Sequence, residues 1–147
     1  NDVIIGRGTQ SMGGDGDDLI AGGSAQADGG DGDDTLVGSP NTALIGGEGE
    51  DEFIVDERER GGPVRIEDYD ASEDTLVIAA SELGSKAPED IVQRFSPDTN
   101  SIELIVEDEL GPRNIASVFG IDDETTVLDL IVFDASMLDE MLADAVA

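Results

Sequence analysis

The chain has 147 residues, 38% hydrophobic but only 3% aromatic, with 19 glycines, and its 36 Asp+Glu against 7 Lys+Arg give a formal charge of −29. A field of that sign repels nucleic acid and anionic membrane surface and draws in cations. The chain contains neither cysteine nor histidine, which excludes disulfide staples, the usual zinc centres and every Ser-His or Cys-His dyad.

By length the chain is one domain, or a domain with a smaller appendage. No apolar run approaches the ~20 residues of a membrane span, so membrane insertion is not expected. The opening residues Asn1-Asp2-Val3-Ile4-Ile5 read as the tail of a phrase that becomes plain further on. The chain is therefore expected to begin inside a longer protein.

The full phrase stands at Gly13-Gly14-Asp15-Gly16-Asp17-Asp18-Leu19-Ile20, at Gly29-Gly30-Asp31-Gly32-Asp33-Asp34-Thr35-Leu36 and at Gly46-Gly47-Glu48-Gly49-Glu50-Asp51-Glu52-Phe53. Each fits G-G-x-G-x-D-x-U-x, where U is a large apolar residue, the nonapeptide repeat of calcium-filled parallel β structures. The chemistry explains the spacing. Glycine reaches the positive-φ conformations of tight turns without steric cost. Closely spaced glycines let backbone carbonyls converge, and calcium takes about 6–8 oxygens from carboxylates mixed with carbonyls. The sixth-position Asp supplies a carboxylate. The x-U-x that follows makes a short strand whose apolar residue points inward: Ile4, Ile20, Leu36 and Phe53, with Leu44 from a shorter phrase.

Shorter phrases lie between the full ones, at residues 6–12, 22–28 and 38–45, with Thr9, Ala25 and Thr42 where the Asp belongs. The full phrases start at 13, 29 and 46, so one coil takes 16 or 17 residues. Full phrases are thus expected to stack on one edge and the shorter ones on the other, with calcium on the first edge only. A disordered acidic linker would not keep an apolar residue two places after each Asp. An EF-hand fails because Leu19 and Thr35 fill a ligand slot, and a phosphate-binding loop fails because no Lys follows.

The phrase resembles the RTX (haemolysin-type calcium-binding) repeat of bacterial proteins exported by type I secretion, over roughly the first third of the chain. The resemblance implies a mainly all-β fold: a parallel β-roll of calcium-binding nonapeptide repeats over residues 1–55. A β-rich C-terminal capping and secretion-associated region with one or two short helices would follow over 56–147. In the family an ion sits between two phrases stacked on one edge and takes ligands from both. Carried over, Asp18 and Asp34 share one site with Asp15 and Asp31, and Asp34 and Asp51 share another with Glu48. A third, weaker site lies between Asp2 and Asp18. Gly13, Gly14, Gly16, Gly30, Gly32, Gly47 and Gly49 line the same loops, and two to three calcium ions are expected.

Beyond the repeats, residues 52–56, 64–69 and 75–78 read as strands. Asp68-Tyr69-Asp70 and Asp74-Thr75-Leu76 resemble a signature that follows the repeats in many RTX proteins, including serralysin-type proteases, with Tyr69 in place of Phe. Asp68, Asp70 and Asp74 either close a terminal calcium site or act as turn and capping residues. Residues 88–95 suit a short helix with Pro at its first position and acids in the first turn. Residues 96–100 suit a turn, and 101–106, 112–119 and 126–133 suit strands. Residues 136–147 suit a helix capped by Ser136, with Met137, Leu138, Met141, Leu142 and Ala145 on one face. That stripe either packs on the preceding strands or belongs to a C-terminal export signal.

The expected function is an extracellular, secreted calcium-binding module that folds on binding calcium after type I secretion, as the C-terminal part of a larger exported protein. Its expected partners are calcium ions and the type I secretion machinery. An uncovered end of the repeat stack invites end-to-end pairing, so a homodimer through that end is one expected arrangement. The alternative is a polysaccharide-binding or adhesin module, against which the scarcity of aromatic residues counts. Autonomous catalysis is not expected: the paired Asp122 and Asp123 lie in a polar turn with nothing to raise a pKa.

Overall fold

The computed structural model describes residues 1–23, 25–80, 90–121 and 126–146. Short strands alternate between two sheets. The first sheet takes β1 (Val3–Ile5), β3 (Leu19–Gly22), β5 (Thr35–Gly38), β7 (Glu52–Asp56), β9 (Thr75–Ala80) and β13 (Leu130–Asp134), in that order and all parallel. The second sheet runs β2 (Gln10–Asp15), β4 (Gln26–Asp31), β6 (Ala43–Glu48), β8 (Val64–Ile66), β12 (Gly111–Phe119), β11 (Ser101–Asp108) and β10 (Val92–Ser96). Its first five strands are parallel, while β11 is antiparallel to both β12 and β10. One helix, α1 (Ala135–Ala145), ends the described chain.

Period-two alternation fixes which side chains meet. Ile20, Leu36, Phe53 and Leu76 fall in register across the first sheet, and Ala27, Leu44 and Ile66 across the second. They face one another in a single interior cluster, against which Ile4 packs at the open end. The opposite face of the first sheet presents Ala21, Val37, Ile54, Val77 and Ala79, a second apolar cluster completed by Ala135 and Leu138 of α1. Met141 and Leu142 extend that contact, and Arg58 Nη1 holds the helix through Asp139 at 2.9 Å.

This architecture corrects the expected one. The fold is mainly β, but it is not a simple parallel β-roll followed by a cap. It has thirteen strands in two sheets, one of them mixed, with a single C-terminal helix among the described residues. The reason lies in β8 and β9, which keep the inward–outward alternation of the repeats and pair with β6 and β7. Both sheets therefore continue across residue 56, and the later strands extend them. The helix expected over 88–95 is corrected too. Residues 88 and 89 lie outside those described, and Val92–Ser96 is a strand whose Gln93 and Phe95 turn inward while Val92 and Arg94 face solvent. The C-terminal helix begins one residue before its expected cap: Asp134 caps it, accepting from the Ser136 N–H at 2.8 Å.

One ion pair ties the two sheets together. Glu57, just past β7, is 2% exposed, and its Oε2 accepts from Arg113 Nη2 of β12 at 2.8 Å. Removing one partner of a buried pair leaves the other charge uncompensated. Arg113→Met is therefore expected to destabilise the chain by about 3–5 kcal/mol, and Glu57→Gln in the same chain to recover most of that. Chemical denaturation of the two variants checks this, and a loss below about 1 kcal/mol for Arg113→Met would show the pair to be dispensable.

Candidate metal centre

The loops after β2, β4 and β6 stack because glycine permits it. Gly30 and Gly47 have φ of +112° and +104°, where an L side chain is strained. A Cβ on Gly30 would also lie 2.1 Å from the Gly14 carbonyl oxygen, and one on Gly47 2.0 Å from that of Gly30. Gly14, Gly16, Gly32 and Gly49 share the positive φ. The coils are thus drawn together until only hydrogen fits between them.

That approach builds a column of sixth-position carboxylates. Asp34 Oδ1 accepts from the Asp18 N–H at 2.7 Å, and Asp51 Oδ1 from the Asp34 N–H at 3.0 Å. Asp18 Oδ1 accepts from the N–H of Asp2, itself exposed at the open end. Each carboxylate takes the amide of the phrase before it. Asp18, Asp34 and Asp51 are 3%, 1% and 2% exposed. The Oδ2 atoms of Asp18 and Asp34 are buried and have no hydrogen-bond partner.

Those orphaned oxygens face backbone carbonyls. A Cβ placed on Gly13 would lie 2.2 Å from Asp18 Oδ2 and 2.6 Å from the Gly29 carbonyl oxygen. On Gly29 it would lie 2.1 Å from Asp34 Oδ2 and 2.6 Å from the Gly46 carbonyl oxygen. A carboxylate oxygen with no hydrogen-bond partner and a carbonyl oxygen of the next phrase therefore come together beside Gly13 and Gly29. The complement of such a pair is a cation, and a hard one, since every donor is oxygen. Calcium fits this donor set.

The third-position acids are placed differently. Asp15, Asp31 and Glu48 end β2, β4 and β6 in register with one another and are exposed. Among the described residues no group of three or more acidic side chains gathers as a metal cage. The donors that fit a cation are the buried sixth-position carboxylates together with backbone carbonyls. Asp122 and Asp123 lie outside the described residues.

Burial pushes the Asp34 carboxyl above its ordinary range, the neighbouring carboxylates adding to the effect and the Asp18 amide opposing it. Burial likewise pushes Asp51 up to about 6, with the Asp34 amide opposing and the charges of Asp74, Asp34 and Asp68 adding. The column stores like charge.

Two further sets of carboxylates join the stack without being announced by the phrase. Asp17 Oδ1 accepts from the Asp33 N–H at 3.2 Å and Asp33 Oδ1 from the Glu50 N–H at 2.9 Å. This fifth-position ladder runs opposite to the sixth-position one. The recurrent acid at position five is the signal that could have found it. Asp68 and Asp74, expected as either metal ligands or turn residues, also bond backbone amides. Asp68 takes the N–H of Gly46 and of Gly47, both at 2.9 Å, and Asp74 Oδ1 takes that of Asp51 at 3.1 Å.

No protein-family model matches the chain, and no curated protein matches it.

Proposed function

We propose that the chain is a secreted, extracellular calcium-binding module of the RTX type, which folds as it binds calcium after export by a type I system. The observation that carries this reading is the pair of buried, partnerless carboxylate oxygens on Asp18 and Asp34. An ionised carboxylate out of water costs several kcal/mol unless a counter-charge meets it. Among the described residues no Lys or Arg meets these oxygens, the Asn1 ammonium lies 3.6 Å from the other oxygen of Asp18, and the chain's overall charge of −29 makes matters worse. Calcium supplies the counter-charge, so its binding free energy becomes folding free energy.

Extracellular calcium modules have dissociation constants of about 10⁻⁴ to 10⁻³ M, far above cytosolic calcium. The chain then stays unfolded inside the cell and orders outside. A glycan-binding module draws less support, because none of the five Phe and Tyr rings stands exposed for a sugar to stack on.

The test is a calcium titration followed by far-UV circular dichroism, with magnesium as control. The expected result is a cooperative gain of β signal between about 0.1 and 1 mM calcium, with magnesium inert. A spectrum fully folded in excess chelator and unmoved by calcium would overturn the proposal.

A further inference from the structure

The carboxylate column ends differently from how it begins. At Asp18 and Asp34 one oxygen takes an amide and the other has no partner. At Asp74 both oxygens are used: Oδ1 accepts from the Asp51 N–H at 3.1 Å and Oδ2 from the Asp70 N–H at 2.8 Å. The amides of Gly46 and Gly47, at the end of β6, lie beyond the reach of β8, which pairs only with Ala43 and Leu44. Asp68 stands there instead and takes one amide on each oxygen, both at 2.9 Å.

No carbonyl oxygen comes as close to the first glycine at this end as at Gly13 and Gly29. A Cβ on Gly46 would meet Asp51 Oδ2 at 2.1 Å, but its other nearest neighbours are the rest of that carboxyl and Phe53 Cζ, with no carbonyl of a following phrase. The phrase at 46–53 is also where the acids at positions three and five lengthen to Glu48 and Glu50. Glu50 has no later phrase whose amide it must take, whereas Asp17 and Asp33 each do.

We propose that Asp68 and Asp74 are a metal-independent terminator of the column. Their carboxylates stand in for the next phrase, satisfy its neighbours' amides directly, and confine cation binding to the spaces on the N-terminal side of Asp51. The closure by hydrogen bonds stands on its own, while its effect on ion count rests on the calcium reading above. Both Asp68 oxygens accept, so Asp68→Asn turns an NH₂ group against one of two N–H groups and breaks that bond.

The experiment uses the full chain and reads two quantities: bound calcium by native mass spectrometry, and amide hydrogen exchange with and without chelator. In the unaltered chain the Gly46, Gly47 and Asp51 amides are expected to be protected once calcium has folded it. With calcium bound, Asp68→Asn is expected to speed exchange at Gly46 and Gly47, and Asp74→Asn at Asp51, about tenfold or more, while the number of bound ions stays the same. Loss of an ion in either variant would make these residues ligands and overturn the proposal. So would unchanged exchange at Gly46 and Gly47 in calcium-loaded Asp68→Asn, with protection elsewhere in that variant reporting that it has folded. If the unaltered chain binds no calcium, yet Asp68→Asn still strips protection from Gly46 and Gly47 in chelator, the terminator stands and the calcium reading falls.

Discussion

Asp34→Asn is expected to shift stability in opposite directions with and without calcium. The substituted side chain keeps an oxygen to accept from the Asp18 N–H, now bonded at 2.7 Å. In place of the partnerless Oδ2 it offers an NH₂ group beside the Gly46 carbonyl. The substitution therefore removes a buried charge and supplies a donor where two acceptors met. Without calcium the variant is expected to be more stable by about 1–3 kcal/mol. With calcium it loses a charged ligand that borders the phrases on both sides, and the calcium midpoint is expected to rise about tenfold or more. Osmolyte-induced folding in chelator and a calcium titration, both followed by circular dichroism, measure the two effects. A variant less stable in chelator, with its calcium midpoint unmoved, would make Asp34 an ordinary buried acceptor, and the column would not be a cation site.

The parts of this molecule that the sequence made legible are those encoded locally. Two constraints, the fixed phrase and the period-two strand, agree on Ile20, Leu36, Leu44 and Phe53, and all four lie in the interior cluster. The stacking of full phrases follows from the same spacing, since Asp15, Asp31 and Glu48 fall in register. What stayed hidden depends on partners far along the chain. The Gly46 amide finds its acceptor at Asp68 and the Glu57 carboxylate its cation at Arg113, 22 and 56 residues away, and no local pattern states either pairing. The same holds for β10. Pro88 and the acids after it read as the start of a helix, yet Val92↔Ile105 and Phe95↔Ile102 pairing across a hairpin outweighs that local preference. The expected separate cap failed for a related reason. Val64 and Ile66 carry no glycine phrase, but their alternation suffices to continue the second sheet.

Protons are expected to substitute for calcium. Burial raises the carboxyls of Asp34 and Asp74 and brings Asp51 to about 6. A carboxyl whose folded pKa lies above its unfolded value of 3.8 binds protons more readily in the folded state. Its contribution to stability is fully present below the unfolded value and is lost as pH rises through the folded one. In chelator, the chain is thus expected to gain β signal as pH falls through about 6, where Asp51 begins to take its proton, towards 3.8, where its contribution is complete. Calcium must displace the same protons, so its midpoint is expected to rise over that interval. Relief of the overall charge of −29 would push in the same direction, but salt separates the two causes. At about 1 M salt the screening length is only ~3 Å, which silences exposed charges and leaves buried ones largely unscreened. Acid-induced folding that persists in high salt and shifts in Asp51→Asn locates the effect in the column. Folding brought on by salt alone at about pH 7.5 would assign it to the surface, and the buried carboxylates would then not be what keeps the metal-free chain open.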